Sequence, residues 1–339
     1  MGRIIRAALW LLGGAAIAYI GLWVVAPPER VETDIAFDAS LIPEDVDGWL
    51  ADRESLVPNV DPDHSKRVLW DAGPGRRTGL ALVYIHGFSA TLWETRPLAD
   101  RIAEDLGANL FYTRLTGHGR NGPAMLDASA SAWIEDLAEA VAVGRILGDR
   151  VVLIGNSTGA TLAALAAADP ALAALRDDLA GLVLISPNFR LTHPAAFAMS
   201  MPGAEIGVPM MVGDLRGFEP QNDRHARHWT TPYPTVAALP VQALIDHAED
   251  LDFAATDIPA LFYFSPDDRV VDARATEAVA ARWGGPKTIA RIDLPDGDDP
   301  DHHVIAGDIL SPQHTPEAIG AIGQWISELP DLSADRASR

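Results

Sequence analysis

VVLIGNSTGAT, residues 151–161, runs from four strand-forming residues into a serine held between two glycines. Val151 to Ile154 have the character of a buried strand, and Ser157 to Ala168 (STGATLAALAAA) are alanine-rich and helical. A strand, a sharp glycine turn and a helix in immediate succession predict a parallel sheet covered by helices. The same junction accounts for Gly155 and Gly159, because so tight a turn brings backbone segments together and a Cβ there would collide. It also lifts the Ser157 hydroxyl above the sheet, facing the free N–H groups and positive end of the following helix. G-x-S-x-G in this context is the setting of a nucleophile elbow.

Working outward, the rhythm of alternating strands and helices continues. Apolar runs predict strands over 80–88, 108–115, 150–155, 181–187, 258–266 and 287–295, with a first strand near 68–70. Helical spacing predicts helices over 91–107, 131–148 and 157–168, and a last one running from Thr315 as N-cap, with Pro316 at its first position, to about 329. Residues 78–330 thus form one α/β domain, with a tail over 331–339. The stretch 188–252 is too long to connect neighbouring strands and is rich in Pro, Gly, His and Met, so it is expected to be an inserted cap over the sheet's carboxyl edge. Residues 29–77 are a lead-in, with a short helix expected within 42–56.

Composition limits what these motifs can mean. Lys+Arg 26 against Asp+Glu 47 gives a formal net charge of −21, which repels a polyanion and excludes nucleic acid as the expected partner. The absence of cysteine removes disulfides, thiolate chemistry and Cys-based zinc sites together. At the N-terminus, Ala7 to Ala26 carry no charge, about 30 Å of helix, with Trp10, Tyr19 and Trp23 along them. Residues 1–28 are therefore expected to be a single membrane anchor, ended by Pro27 and Pro28, with a cleaved signal peptide as the rival reading. Arg3 and Arg6 before the segment and Glu29, Glu32 and Asp34 after it place the bulk of the chain on the extracytoplasmic side.

A serine hydroxyl is a weak nucleophile unless a base takes its proton and an acid orients the base. On such a sheet these partners follow the serine in the order acid, then histidine, on loops after later strands. FYFSPDDRVVD supplies Asp267 and Asp268 just after a strand, and PDGDDPDHHVIAGD supplies His302 and His303. Asp296, Asp298, Asp299 and Asp301 in that second loop match no standard calcium-binding spacing, so no metal is expected.

With these residues in place the chain resembles the α/β-hydrolase superfamily, and within it the monoacylglycerol lipase-like group, also described as serine aminopeptidase-type hydrolases. The resemblance covers about 78–329 and leaves the cap unmatched. It implies Asp268 as the acid, since Asp268-Arg269-Val270-Val271 fits the family's acid followed by a variable and two apolar residues, with Asp267 as the alternative. It implies His303 as the base, before the apolar pair Val304-Ile305, with His302 as the alternative. His86-Gly87-Phe88 resembles the oxyanion loop, so that the backbone N–H groups of Phe88 and Thr158 would hold the oxyanion. Leu115-Thr116-Gly117-His118-Gly119 resembles the group's G-H-G turn, which makes His118 a loop residue and not the base. Thr158 departs from the bulkier unbranched residue often found there, but it keeps its backbone donor.

The activity implied is hydrolysis of a carboxylic ester by Ser157, His303 and Asp268 through an acyl-enzyme, with no cofactor. Met199, Met201, Met210 and Met211, with Phe197, Phe218 and Trp229 in the cap, suggest an apolar acyl or alcohol portion. A monoacylglycerol or other lipid ester fits such a pocket beside a membrane. Peptide hydrolysis and cofactor-free haloperoxidase or C–C bond cleavage use the same triad and stay open. A non-catalytic membrane-anchored binding module would not need all three residues.

Overall fold

The computed structural model describes residues 2–330 and 332, so of the expected tail only Leu332 falls among the described residues. In chain order the elements are α1 (Gly2–Val25), α2 (Val46–Ser55), β1 (Arg67–Leu69), β2 (Thr78–Ile85), α3 (Leu98–Leu106), β3 (Asn109–Tyr112), α4 (Ala130–Leu147), β4 (Gly148–Asn156), α5 (Thr158–Ala168), β5 (Leu179–Ile185), α6 (Ala204–Val212), β6 (Leu215–Arg216), α7 (Asp223–His228), β7 (Tyr233–Pro234), α8 (Leu239–Glu249), β8 (Ala260–Phe264), α9 (Ala273–Arg282), β9 (Lys287–Arg291) and α10 (Thr315–Ser327).

The main sheet runs β1-β3-β2-β4-β5-β8-β9, with β1 antiparallel to β3 and every other pairing parallel. Alternation along β2 shows how it is covered on both faces. Ala81, Val83 and Ile85 pack in the core with Trp133 of α4 and Leu162 of α5. Leu80, Leu82 and Tyr84 point the other way, into a second core with Ile102 of α3 and Ile322 of α10. A strand buried on both sides has no polar face, which is why the strands of this sheet read as continuous apolar runs.

Two local expectations are corrected. The helix expected over 91–107 begins only at Leu98, with Pro97 as its N-cap residue. Proline has no N–H and pushes the residue before it out of the helical region, so 91–97 instead form turns, such as the one closed by Glu94 N–H on the Thr91 carbonyl at 3.0 Å. The last helix has His314, not Thr315, at its N-cap. The Thr315 hydroxyl is already engaged, donating to the Ser311 carbonyl at 2.6 Å and accepting from Gly307 N–H at 2.7 Å.

The lead-in is strapped along α4. Val31, Ile35, Phe37 and Trp49 pack against the core, and the Glu135 carboxylate of α4 accepts from Ala36 and Phe37 N–H at 2.6 and 2.9 Å. A buried ion pair, Glu54–Arg114, joins α2 to the loop after β3 at 2.7 Å. Between β5 and β8 lie α6, the β6–β7 ribbon, α7 and α8. Of these, α8 packs into the core through Val241, Leu244 and Ile245, whereas Ala204, Val208 and Leu239 form a small cluster of their own.

Among the described residues no helix is long and apolar enough to cross a membrane, so the span expected over 7–26 finds no support. Trp10, Ile17 and Val24 are exposed on α1, and the Ala26 carbonyl just beyond it accepts from Gly203 N–H at 2.7 Å.

Candidate active site

Ser157 sits between β4 and α5 with φ 51° and ψ −116°, a left-handed backbone that a serine adopts only under strain. Its N–H is tied to the Ile185 carbonyl at 2.9 Å. The flanking glycines are required by contact: a Cβ on Gly155 would lie 2.4 Å from the Gly159 carbonyl carbon, and one on Gly159 would lie 2.0 Å from the Ile85 carbonyl oxygen. The elbow is thus wedged against the end of β2, where the loop His86-Gly87-Phe88 begins.

That loop is held by its histidines. His86 is fully buried, its Nδ1–H donating to the Gly87 carbonyl at 2.8 Å and its Nε2 accepting from Leu115 N–H at 3.1 Å. Burial, with His118 beside it, holds its pKa well below the ordinary value, so it stays neutral. His118 accepts from Ser89 N–H at 2.9 Å and donates to the Thr116 carbonyl at 3.2 Å, and burial lowers its pKa to about 4. Its two nitrogens are spent on the loop, which is the role the G-H-G turn suggested. The Phe88 ring packs edge-on against His118, Trp133 and Tyr233. Among the described residues the N–H groups of Phe88 and Thr158 take no hydrogen-bond partner.

Of the candidate acids and bases, the fold brings Asp268 and His303 together. His303 Nδ1 donates to Asp268 Oδ2 at 2.8 Å, while Asp268 Oδ1 accepts from Val270 and Val271 N–H at 2.8 and 2.9 Å. Asp267, one residue earlier, is exposed, and His302 lies at φ 53° with its Nδ1 unpartnered. Burial pushes His303 down, but Asp268, Asp299 and Glu94 outweigh it and raise its pKa to about 8. Among the described residues Ser157 and His303 are not joined by a hydrogen bond.

Two further carboxylates belong to this neighbourhood and escaped the reading of the sequence. Asp299 Oδ2 accepts from the N–H groups of His303 and Val304 at 3.0 and 2.8 Å, so part of the acidic loop is a backbone cradle for the histidine. Its position four residues before His303 is the available signal. Glu94 Oε2 accepts from Gly87 N–H at 2.7 Å, and a helix assigned across 91–107 hides that contact.

The aromatic residues of the segment 188–252, expected to form a cap, are not gathered as a pocket. Trp229 is buried against Ala90, Val304, Ile309 and Leu310; Phe218 stacks on His225; Phe197, Met210 and Met211 are exposed. An open cleft of about 790 Å³ between 190–200 and α8 reaches Pro266 and Asp268, and Ser157 does not line it.

A family model described as the alpha/beta hydrolase family matches residues 82–317. No curated protein sequence matches the chain. Among solved structures, one reported for the metagenome-derived lipolytic enzymes LipS and LipT superposes with a TM-score of 0.62 at 18% identity, covering 80% of this chain and 100% of that one. A soluble variant of monoglyceride lipase from Saccharomyces cerevisiae in complex with a substrate analog gives 0.57 at 13% identity, with 78% and 91% covered. The monoacylglycerol lipase of Paleococcus ferrophilus gives 0.55 at 15% identity, with 77% and 97% covered. At such identities these likenesses establish the fold.

Proposed function

The chain belongs to the alpha/beta hydrolase family, and from that premise we propose that it is a serine hydrolase of carboxylic esters, with Ser157 as nucleophile, His303 as base and Asp268 as orienting acid. The observation that carries the reading is the 2.8 Å bond from His303 to Asp268, in a chain whose β4–α5 junction presents a serine on a strained glycine-flanked elbow. Ser157 attacks the ester carbonyl while His303 takes its proton, and Asp268 stabilises the imidazolium. The N–H groups of Phe88 and Thr158 receive the oxyanion, each such donor contributing about 3 kcal/mol at the transition state. His303 then protonates the leaving alcohol and activates a water that frees the acid. No cofactor enters these steps.

A lipid ester such as a monoacylglycerol is the substrate class we favour, supported by neighbours described as lipolytic enzymes and monoacylglycerol lipases. The exposed apolar surface of α1, with the Ala26 carbonyl beyond it bonded to Gly203, supports work at a lipid surface, and the charges that flank it, Arg3 and Arg6 before and Glu29, Glu32 and Asp34 after, support the extracytoplasmic side for the folded part. Flotation of the full chain with phosphatidylcholine vesicles, lost in a chain lacking residues 1–26, is the result expected of that lipid contact.

The activity is tested with a fluorophosphonate probe and a short-chain p-nitrophenyl ester on the wild type and Ser157→Ala. Labelling and turnover that both vanish in the variant are expected. A folded wild type showing neither would end the assignment.

A further inference from the structure

Glu94 is 2% exposed, lies on a turn before α3, and has no place in the steps above. Its carboxylate reaches back to the loop that precedes it: Oε2 accepts from Gly87 N–H at 2.7 Å and from the Tyr84 hydroxyl at 3.0 Å. Oε1 lies 2.6 Å from where a Cβ on Gly87 would stand, and that same point is 3.2 Å from the Ser157 Cβ. Glycine at 87 therefore admits the carboxylate on the side of the nucleophile.

We propose that Glu94 is a positioning residue for the oxyanion loop: by gripping the Gly87 N–H it aims the next N–H, that of Phe88, at the reacting carbonyl oxygen. The inference rests on the serine hydrolase reading. The peptide between Gly87 and Phe88 is held from two sides. Its carbonyl oxygen accepts from His86 Nδ1–H at 2.8 Å and from Ala90 N–H at 3.3 Å, and the residue before it is pinned by Glu94. A trans peptide whose oxygen is fixed has its N–H direction fixed as well. The titratable groups facing Glu94 are Tyr84 of β2 and His303 of the loop after β9, with the neutral Asn156 amide of β4 also against it. Burial raises its pKa to about 7 against the opposing effects of Gly87, Tyr84 and His303. The negative charge on Glu94 in turn supports the protonated form of His303.

The test compares Glu94→Ala and Glu94→Gln in the full chain by fluorophosphonate labelling rate, kcat and KM for p-nitrophenyl butyrate, and the pH profile of kcat/KM. Glu94→Ala is expected to lose at least about tenfold in labelling rate and kcat with KM little changed, since the donor is misaimed in the transition state. Glutamine still accepts from Gly87 but carries no charge. Glu94→Gln is therefore expected to lose only about threefold, while its acid limb moves to lower pH by about half a unit. A Glu94→Ala protein with the wild-type labelling rate and kcat overturns the assignment. Should Glu94→Ala lose its cooperative melt, Glu94→Gln decides: a loss of about threefold in kcat with KM little changed supports the assignment, and a wild-type kcat overturns it. A wild type that neither labels nor turns over fails earlier, at Ser157, and removes the basis for Glu94 with it.

Discussion

Asp268 and His303 are joined at 2.8 Å through Oδ2 and Nδ1, and the other oxygen of Asp268 is held by two backbone N–H groups. A carboxylate fixed in this way turns the His303 ring and favours its protonated form, which together with Asp299 and Glu94 raises the pKa to about 8 despite burial. Below that pH the ring already carries the proton it must accept. We therefore expect kcat/KM for an uncharged ester to climb about tenfold per pH unit below about 8 and to level off above it. A profile flat from pH 6 upward would argue against His303 as base. Asp268→Asn should lower kcat by about 10⁴, because the amide can hold the ring in the wrong tautomer.

Asp299 supplies the backbone counterpart of that contact. Replacing it with alanine leaves the N–H groups of His303 and Val304 without their shared acceptor, at a cost of about 1–3 kcal/mol for each buried donor. Asp299→Ala should lower both the melting temperature and kcat, while Asp299→Asn, which keeps one acceptor oxygen, should recover part of each. Loss of stability with unchanged kcat would show that the loop holds His303 without this carboxylate.

What could be read from the sequence was local. The elbow at Ser157 is written in eleven consecutive residues, because strand, glycine turn and helix each leave a mark there. Asp268 and His303 needed the resemblance to be chosen over Asp267 and His302, since neighbours of identical type differ only in where the fold aims them. Glu94 and Asp299 were hidden for a physical reason: both act by accepting backbone N–H groups, a role that any carboxylate can take and no spacing announces. Glu94 also follows a charge pattern suited to an amphipathic helix, and Pro97 is what keeps that helix, which begins at Leu98, from reaching back to it.

The glycines divide sharply by contact, which gives a paired prediction. Gly159→Ala would place a Cβ 2.0 Å from the Ile85 carbonyl and should destabilise the chain by about 4 kcal/mol or more. Gly320, in α10, has no atom beyond its own stretch of helix within 4 Å of where its Cβ would stand. Gly320→Ala should therefore stabilise by about 0.5–1 kcal/mol, through helix propensity alone. Urea midpoints of the two variants check both signs in one experiment.

The lead-in depends on Glu54, whose carboxylate receives Arg114 through Nε at 2.8 Å and Nη2 at 2.7 Å, both side chains being buried. Burial alone would raise the Glu54 pKa, but the hydrogen bonds and charge of Arg114, with Lys66 nearby, win and lower it. A depressed carboxylate contributes stability that is fully present above its unfolded pKa and lost as pH falls through its folded one. Glu54→Gln at neutral pH leaves a buried guanidinium without its counter-charge and should cost about 3 kcal/mol. Glutamine imitates the protonated acid, so the gap between wild type and variant should begin to close below about pH 4.3 and vanish once Glu54 itself is protonated. Because the pair anchors α2 to the loop after β3, the variant should also be cut earlier within 29–66 by a protease at neutral pH. A gap that stays constant from pH 7 to pH 3 would mean that Arg114 is held by something other than the charge on Glu54.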